Sequence, residues 1–573
     1  MLMKLRLNLA CAAATGLILG LAVGVGNAAD SPMAAPSLKP ESAFGGYLAA
    51  LHAQEDHDYR DATAFIDAAL AADPDNYNLM RRAFALRVSA GHVNEAAPLA
   101  KKLVAHDGAG GLAGLVLVEQ AIKAGNYAAA ISQAAAAPHQ GAQRYALPLL
   151  TAWADVGRRD RAKALRDLET MGDTRGLGPL KPLHQALVAD FTGQASMASA
   201  LYKKVVATET PPTARVAELA GNFYERHHDG IAARAVYDSI LPIDDSDVGA
   251  TGLDRLAHGV VPRPLVTTAA DGAAEALFDL ASLLDQAETL DAALIYVRLA
   301  LDLKPDYPLA YLLTGEIRAQ QDQSEEALAL YHRVDTASPY WWTARMRIAL
   351  TLDTLSRTDE ALKLLETLAT EQPTRPAPLI ELGDILRAHS RFTDAIGAYD
   401  RALARIPKPQ ADDWRVFYSR GVSYERSGQW PRAETDLEHA LKLRPEQPLV
   451  LNYLGYTWID KGEKEPEAVK MIKRAVALRP NDGFIVDSLG WAYFRLGDYT
   501  QATETLEHAI ELVPEDPTIN DHLGDAYWRS GREIEARYQW QRALQFKPDP
   551  DETKTIQAKL DHGLGAPAKV DGG

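Results

Sequence analysis

The residues with the clearest potential for metal chemistry are the adjacent His227, His228 and Asp229. Neighbouring positions on a helix point about 100° apart, so these two imidazoles cannot share one metal ion as a pair four residues apart can. They are more simply an exposed helix end before Gly230. The single cysteine, Cys11, lies in an apolar N-terminal stretch, which leaves the rest of the chain without a thiol for disulfides or zinc.

Other catalytic patterns are missing from the sequence as well. No glycine-rich phosphate loop follows a recognisable strand, and no Ser, His and Asp set can be linked by spacing. We therefore predict no catalytic residue, no metal and no cofactor. The formal net charge of -17 disfavours binding to nucleic acid or anionic lipid.

Small residues and prolines near the C-terminus recur with a fixed period. Gly490 and Pro514 have counterparts in Gly524 and Pro548, each 34 places further on, which is the period of the tetratricopeptide (TPR) repeat. In such a pair of antiparallel helices the small residue lets the second helix pack close, and the proline ends that helix. The sequence thus predicts an all-α fold, an α-solenoid or TPR superhelix of antiparallel helix pairs.

The same small position can be followed through the C-terminal half of the chain. It falls at Ala281, Gly315, Ala349, Gly383, Gly421, Gly455, Gly490 and Gly524. The repeats before it are degenerate. The predicted organisation is a signal peptide (1–28), a linker (29–42), degenerate TPR-like helical repeats (43–240), an irregular connecting segment (241–273), eight regular TPR repeats (274–548), a capping helix (549–562) and a disordered tail (563–573).

The N-terminal segment has the features of a secretory signal. Lys4 and Arg6 precede an apolar run, and small residues ending at Ala28 offer a cleavage site. Cleavage after Ala28 is the first choice and cleavage after Ala29 the second, and an uncleaved anchor is the alternative. The sequence thus predicts an exported protein with no transmembrane span in the mature chain.

Aromatic and polar residues follow the first helices of the last four repeats. In a TPR array these helices line the concave face, and the positions three before and one after the small residue should face it. Aromatic rings supply contact area, while amides and carboxylates bond to an extended backbone or to Lys and Arg. The alternative is that the tryptophans pack between repeats. The predicted partner-binding groove comprises Tyr418, Asn452, Tyr456, Asp487, Trp491, Arg495, Asp521, Asp525 and Trp528.

Four short runs in these repeats carry a more specific pattern than the spacing alone. They are Leu451 to Thr457, Ile472 to Ala475, Asp487 to Tyr493 and His522 to Trp528. The chain resembles a family of exported bacterial TPR proteins, some of them outer-membrane lipoproteins that act as adaptors for a periplasmic C-terminal-processing protease. The resemblance covers roughly 274–548. It departs from those lipoproteins in lacking a cysteine at the end of the apolar run.

This resemblance implies a periplasmic adaptor, at or near the outer membrane, that holds a protease or a cell-wall enzyme and is not itself an enzyme. An alternative is a structural TPR component of an envelope or polysaccharide export assembly. A glycosyltransferase carrying TPRs is a weaker alternative, because no room remains for a catalytic α/β domain.

Overall fold

The computed structural model describes residues 42–107, 111–171, 177–208, 210–241, 246–287 and 289–565. Thirty α-helices and one 3-10 helix form the regular structure of these ranges, which contain no strand. The predicted all-α fold is therefore confirmed. No helix within these ranges is long and apolar enough to cross a membrane. The predicted signal peptide (1–28), the linker up to 41 and the tail from 566 lie outside the described residues.

The chain divides into two compact units at residues 364 and 365. Unit 1, up to 364, contains α1 (Ala43–Glu55), α2 (Tyr59–Ala72), α3 (Tyr77–Ser89), α4 (Val93–Asp107), α5 (Gly111–Lys123), α6 (Tyr127–Ala136), α7 (Gln143–Gly157), α8 (Arg161–Glu169), α9 (Leu180–Phe191), α10 (Ala195–Thr208), α11 (Ala214–Arg226), α12 (Gly230–Ile240), α13 (Val248–His258), α14 (Ala269–Gln286), α15 (Leu290–Leu303), α16 (Pro308–Gln320), α17 (Ser324–Tyr331) and α18 (Trp341–Thr354).

Helix α19 (Thr358–Glu371) contains the division between the units. Unit 2 contains α20 (Ala377–Ala388), α21 (Phe392–Ala404), a 3-10 helix (Ala411–Asp413), α22 (Trp414–Arg426), α23 (Trp430–Leu443), α24 (Pro448–Lys461), α25 (Glu465–Leu478), α26 (Gly483–Arg495), α27 (Tyr499–Leu512), α28 (Pro517–Arg529), α29 (Glu533–Gln545) and α30 (Pro550–His562).

Consecutive helices of unit 2 pack in pairs, and the small residues are where the two helices approach most closely. A Cβ on Gly490 would lie 2.5 Å from Leu506 Cγ, and one on Gly524 would lie 2.5 Å from Trp540 Cδ1. The helix ends follow the sequence pattern. Asp482 caps α26 by accepting a hydrogen bond from the Ile485 amide, and α27 ends at Leu512, just before Pro514.

The segment 241–273, predicted to be irregular, contains helix α13. Two glycines inside this helix, Gly249 and Gly252, lower its intrinsic propensity and hide the helical pattern in the sequence. The helix forms because these glycines pack where larger residues would not fit: a Cβ on Gly252 would overlap the ring of Tyr237. The domain boundary that the sequence places in this segment also differs from the structure, which divides within α19.

Helix α14 is the element on which the first array converges. Helices α5, α7 and α9 all contact it, and α3, α4 and α5 contact α15. The fully buried ring of Trp153 lies against Gly272 of α14, where a Cβ would overlap the indole. The first helices of the degenerate repeats thus close around a helix of the same chain.

Candidate partner-binding surface

The predicted groove residues lie on the first helices of the repeats in unit 2. We call the surface formed by α20, α22, α24, α26 and α28 the first-helix face. Contacts join α20 to α22, α24 to α26 and α26 to α28. Helices α22 and α24 are joined by the Tyr453 hydroxyl, which donates to Glu425 Oε2 at 3.0 Å.

Polar bonds along this face connect each first helix to the next. Three of the predicted site residues, Asn452, Asp487 and Arg495, take part in them. These side chains therefore help to align successive repeats as well as lining the face. The bonds, donor first, are Asn452 Nδ2 to Ser488 Oγ (3.1 Å), Arg495 Nη1 to Asp460 Oδ1 (2.9 Å) and His522 Nδ1 to Asp487 Oδ1 (2.9 Å).

The buried side chains of Asp487 and His522 form a cluster with the half-buried Trp491 on helices α26 and α28 of the face. The indole of Trp491 stacks on the imidazole of His522 at 4.0 Å between ring centroids, with 17° between planes, and on Phe494 at 4.9 Å. Burial alone would lower the pKa of His522, but attraction to Asp487 outweighs it, so the pKa is raised. The sequence prediction missed His522 as a site residue, because one repeat after Asp487 comes Asp521, and His522 is the next residue.

The C-terminal end of the face is occupied by helix α30. Lys559 of this helix donates to Asp521 Oδ2 at 2.7 Å and to Asp525 Oδ2 at 2.8 Å. Asp525 also accepts a hydrogen bond from the Trp540 indole N–H at 2.9 Å. Burial, followed by repulsion from Asp521, raises the pKa of Asp525 to about 6, against the opposing effect of Lys559.

Two residues expected to face a partner, Asp525 and Trp528, are instead packed inside unit 2. Asp525 is only 4% exposed. The Trp528 ring lies 5.4 Å from that of Trp540, and a Cβ on Gly563 would overlap it. The reason is local. Trp540 stands where the preceding repeat has Leu506, and its N–H turns Asp525 towards α29.

The remaining predicted residues, Tyr418 and Tyr456, are half-buried on the face. Tyr418 meets Tyr453 edge to face, with 5.8 Å between ring centroids. Burial, followed by the nearby Asp487 and Asp460, raises the pKa of Tyr456 to about 12. An aromatic surface therefore extends from α22 to α26.

Five buried polar atoms on the helices of this face have no hydrogen-bond partner among the described residues: besides Trp414 Nε1 and Asn520 Oδ1, there are three on successive first helices. They are Asn452 Oδ1 on α24, Trp491 Nε1 on α26 and Asp521 Oδ1 on α28. All three belong to residues that the sequence assigns to the groove. An unsatisfied buried polar atom costs about 1–3 kcal/mol, and three of them in a row on successive first helices call for an explanation.

Unit 1 places its polar residues differently. The Trp153 indole N–H donates to His184 Nδ1 at 3.2 Å, and His184 Nε2 lies 3.1 Å from Asp279 Oδ2 of α14. These two contacts connect helices α7, α9 and α14 of unit 1.

The adjacent histidines His227 and His228 lie at the end of α11, where His227 is the C-cap. In the described part of the chain, no group of three or more His, Cys, Asp or Glu is arranged to hold a metal.

A cavity of about 720 Å³ opens elsewhere in unit 1, bordered by residues of α1, α3 and α15. Arg82 lines it and donates to Gln54 Oε1 at 2.6 Å. None of the predicted groove residues borders this cavity.

Models of known protein families match three stretches of the chain. Residues 346–411 and 418–483 match a family described as tetratricopeptide repeat, and residues 490–531 match one described as TPR repeat. The part of the chain from 346 to 531 therefore carries tetratricopeptide repeats. Its TPR repeats indicate a scaffold for protein–protein interaction.

Proteins similar to this chain include bacterial TPR proteins. A TPR repeat-containing protein of Pseudomonas aeruginosa is 29% identical over 198 residues, which is 34% of this chain and 33% of the relative. Cellulose synthase operon protein C of Pseudomonas fluorescens is 27% identical over 154 residues, covering 26% of this chain and 12% of the relative. The chain thus matches one third or less of the length of these two relatives.

Among solved structures, the chain is similar to the crystal structure of the APC/C hetero-tetramer Cut9–Hcn1. The similarity covers 91% of this chain and 96% of that chain, with 15% sequence identity and a TM-score of 0.38.

Proposed function

We propose that this TPR protein is a non-enzymatic adaptor of the bacterial cell envelope that binds partner proteins on the first-helix face of unit 2. The TPR scaffold supports protein binding as its general role. The choice of unit 2 is supported by the contrast between the units. In unit 1 helix α14 covers the first helices α5, α7 and α9, whereas in unit 2 the chain's own helix α30 occupies only one end of the face.

The observation that carries this proposal is the row of unsatisfied atoms on α24, α26 and α28. Asn452 and Asp521 offer acceptors and Trp491 offers a donor. An extended peptide backbone presents both N–H and C=O groups at short intervals, so it can satisfy acceptors and donors alternately. The half-buried rings of Tyr456 and Trp491 supply apolar contact beside these atoms.

The envelope location rests on the N-terminal signal, and the partner class rests on the resemblance to periplasmic protease adaptors. We propose that the partner is a periplasmic protease or a cell-wall enzyme. N-terminal sequencing of the exported protein tests the location, with Ala29 expected as its first residue.

A second candidate is a structural component of a polysaccharide export assembly. It is favoured by the similarity to a cellulose synthase operon protein. In that case the proteins held by the first-helix face would be envelope export components rather than a soluble enzyme.

The test is a crosslinking pull-down from the envelope fraction with the Trp491→Phe variant. Phenylalanine keeps an aromatic ring on His522 but removes the indole donor, so captured partner should fall about two- to tenfold, the effect of one hydrogen bond. Trp430→Phe is the matched control, because it also removes an indole donor but not one on the first-helix face. Trp430 lies on the second helix α23, and its N–H donates to Glu463.

Either partner class is compatible with binding at the face, and mass spectrometry of the captured proteins distinguishes a protease or wall enzyme from export components. Equal capture by the Trp491→Phe and Trp430→Phe variants would contradict the proposal.

A further inference from the structure

Helix α30 is held much less firmly than the first helices of the last two repeats. Helices α26 and α28 each bury eight residues, whereas α30 buries Ile556 and no other residue. Leu560 and the following Leu564 are half-buried against the core around Trp540. With one buried residue against eight, α30 gains the least from burial and is the weakest of these helices.

The charge beneath α30 exceeds what the helix supplies. One ammonium, that of Lys559, faces the two carboxylates of Asp521 and Asp525. The side chain of Lys559 is 14% exposed, and those of the aspartates are 17% and 5% exposed. Among the residues that the structure describes, Asp521 Oδ1 has no hydrogen-bond partner. The site therefore favours a cation.

The side chains by which α30 packs on unit 2, which we call the seat of α30, follow a defined pattern. Ile556, Lys559 and Leu560 lie on one side of the helix, at spacings of three and four residues, and supply an apolar group, a cation and a second apolar group. A helix of another protein with the same pattern would make the same contacts.

We propose that the end of the first-helix face beneath α30 is a docking site for a partner's amphipathic helix that carries a lysine, and that α30 is the internal occupant which this helix displaces. The inference rests on the proposed function, because it specifies part of the partner recognised by the same face. In the resting chain, α30 lowers the affinity of the site for any competing helix.

A glycine pair allows α30 to be loosened while both carboxylates of the docking site are kept. A Cβ on Gly563 would overlap the Trp528 ring, and its φ of +71° disfavours a branched residue, so Gly563→Val should weaken the seat of α30. A Cβ on Gly565 would meet nothing within 4 Å in the described part of the chain, which makes Gly565→Val the matched control. Asp521 and Asp525 are unchanged in both variants.

The probe is a fluorescently labelled synthetic peptide of sequence 549–565, added in trans to the full chain and followed by anisotropy. The Gly563→Val chain should bind it about tenfold more tightly than the unchanged chain or the Gly565→Val chain. A peptide in which Lys559 is replaced by Gln should lose most of this affinity. Equal binding to all three chains, or equal binding of the two peptides, would overturn the inference.

A second measurement guards against misfolding of the variant. Hydrogen exchange of residues 550–562 in the unchanged chain should accelerate when the isotopically labelled peptide is added in excess, and unaltered exchange at saturation would contradict displacement. The two proposals fail separately. If Trp491→Phe lowers partner capture but no chain binds the peptide, the proposed function stands and the helix-docking site fails. If the peptide binds as expected but Trp491→Phe captures as much partner as the control, only the helix-docking site stands.

Discussion

The imidazole of His522 contacts both Trp491 and Asp487 on the first-helix face. Its ring is stacked on Trp491, and its Nδ1 lies 2.9 Å from Asp487. The Asp487 carboxylate stabilises the imidazolium form, which is why the pKa of His522 is raised despite burial. Its protonation is therefore coupled to the packing of α26 against α28.

This coupling predicts a pH dependence of stability. A raised pKa means that the stabilisation from His522 is fully present below its unfolded value of about 6.5 and is lost as the pH rises through the folded pKa. For the unchanged chain, the urea concentration at the unfolding midpoint should therefore decrease as the pH is raised from 6 to 9.

The variant His522→Gln should lose this dependence. The Asp525 carboxyl titrates over a different pH range. Because its pKa is raised to about 6 in the folded chain, it affects stability between roughly pH 4 and 6, and there stability falls as the pH rises. An unaltered slope above pH 6 in the variant would mean that His522 is not the titrating group.

The glycine at the repeat contact gives a second prediction. Gly490→Leu should destabilise unit 2 by roughly 1–3 kcal/mol or more, because even its Cβ would lie 2.5 Å from Leu506. Gly397→Leu is the matched control: it is also helical, and a Cβ there meets nothing within 4 Å, so helix propensity should raise stability slightly. Urea denaturation of both variants measures the difference, and similar effects would contradict the packing argument.

At the scale of the helix, the burial of α14 in unit 1 depends on ionic contacts. Glu275 of α14 is 1% exposed and accepts hydrogen bonds from Arg215 Nε at 3.1 Å and from the Tyr307 hydroxyl at 2.5 Å. Burial by itself would raise the pKa of Glu275, but Arg215 and then Lys304 lower it overall. The carboxylate therefore remains charged in the interior.

Neutralising this carboxylate should be costly. Glu275→Gln leaves Arg215 buried with a weakened partner set, so the free energy of unfolding should fall by about 3 kcal/mol. Glu366→Gln, which breaks an exposed pair with Arg401, should change it by less than about 1 kcal/mol. Comparable losses in the two variants, measured by thermal denaturation, would show that Glu275 does not hold α14.

The sequence predicted the helix pairs well because their information is local and periodic. Gly490 and Gly524 repeat at a fixed interval, and the structure places both where two helices meet. The seat of α14 could not be predicted, because Trp153 and Gly272 are far apart in the chain and neither belongs to a shared period. The contact of Lys559 with Asp521 was missed for the related reason that α30 is outside the repeat pattern.

At the scale of the molecule, the two units should respond to substitution separately. Glu275 belongs to unit 1 and His522 to unit 2. Because repeats interact mainly with their neighbours, Glu275→Gln should accelerate hydrogen exchange within residues 42–364, and His522→Gln should accelerate it within 365–565. Accelerated exchange throughout the chain in either variant would contradict this division.

The enclosure of α14 also constrains the order in which the protein can be made. Synthesis proceeds from the N-terminus, so helices α5, α7 and α9 leave the ribosome before residues 269–286 have been translated. Until then, the apolar surface that will receive α14 has no cover. Unlike an array that grows stably from one end, the N-terminal half completes its core only when a later helix arrives, and nascent chains that end before α14 should be prone to aggregation.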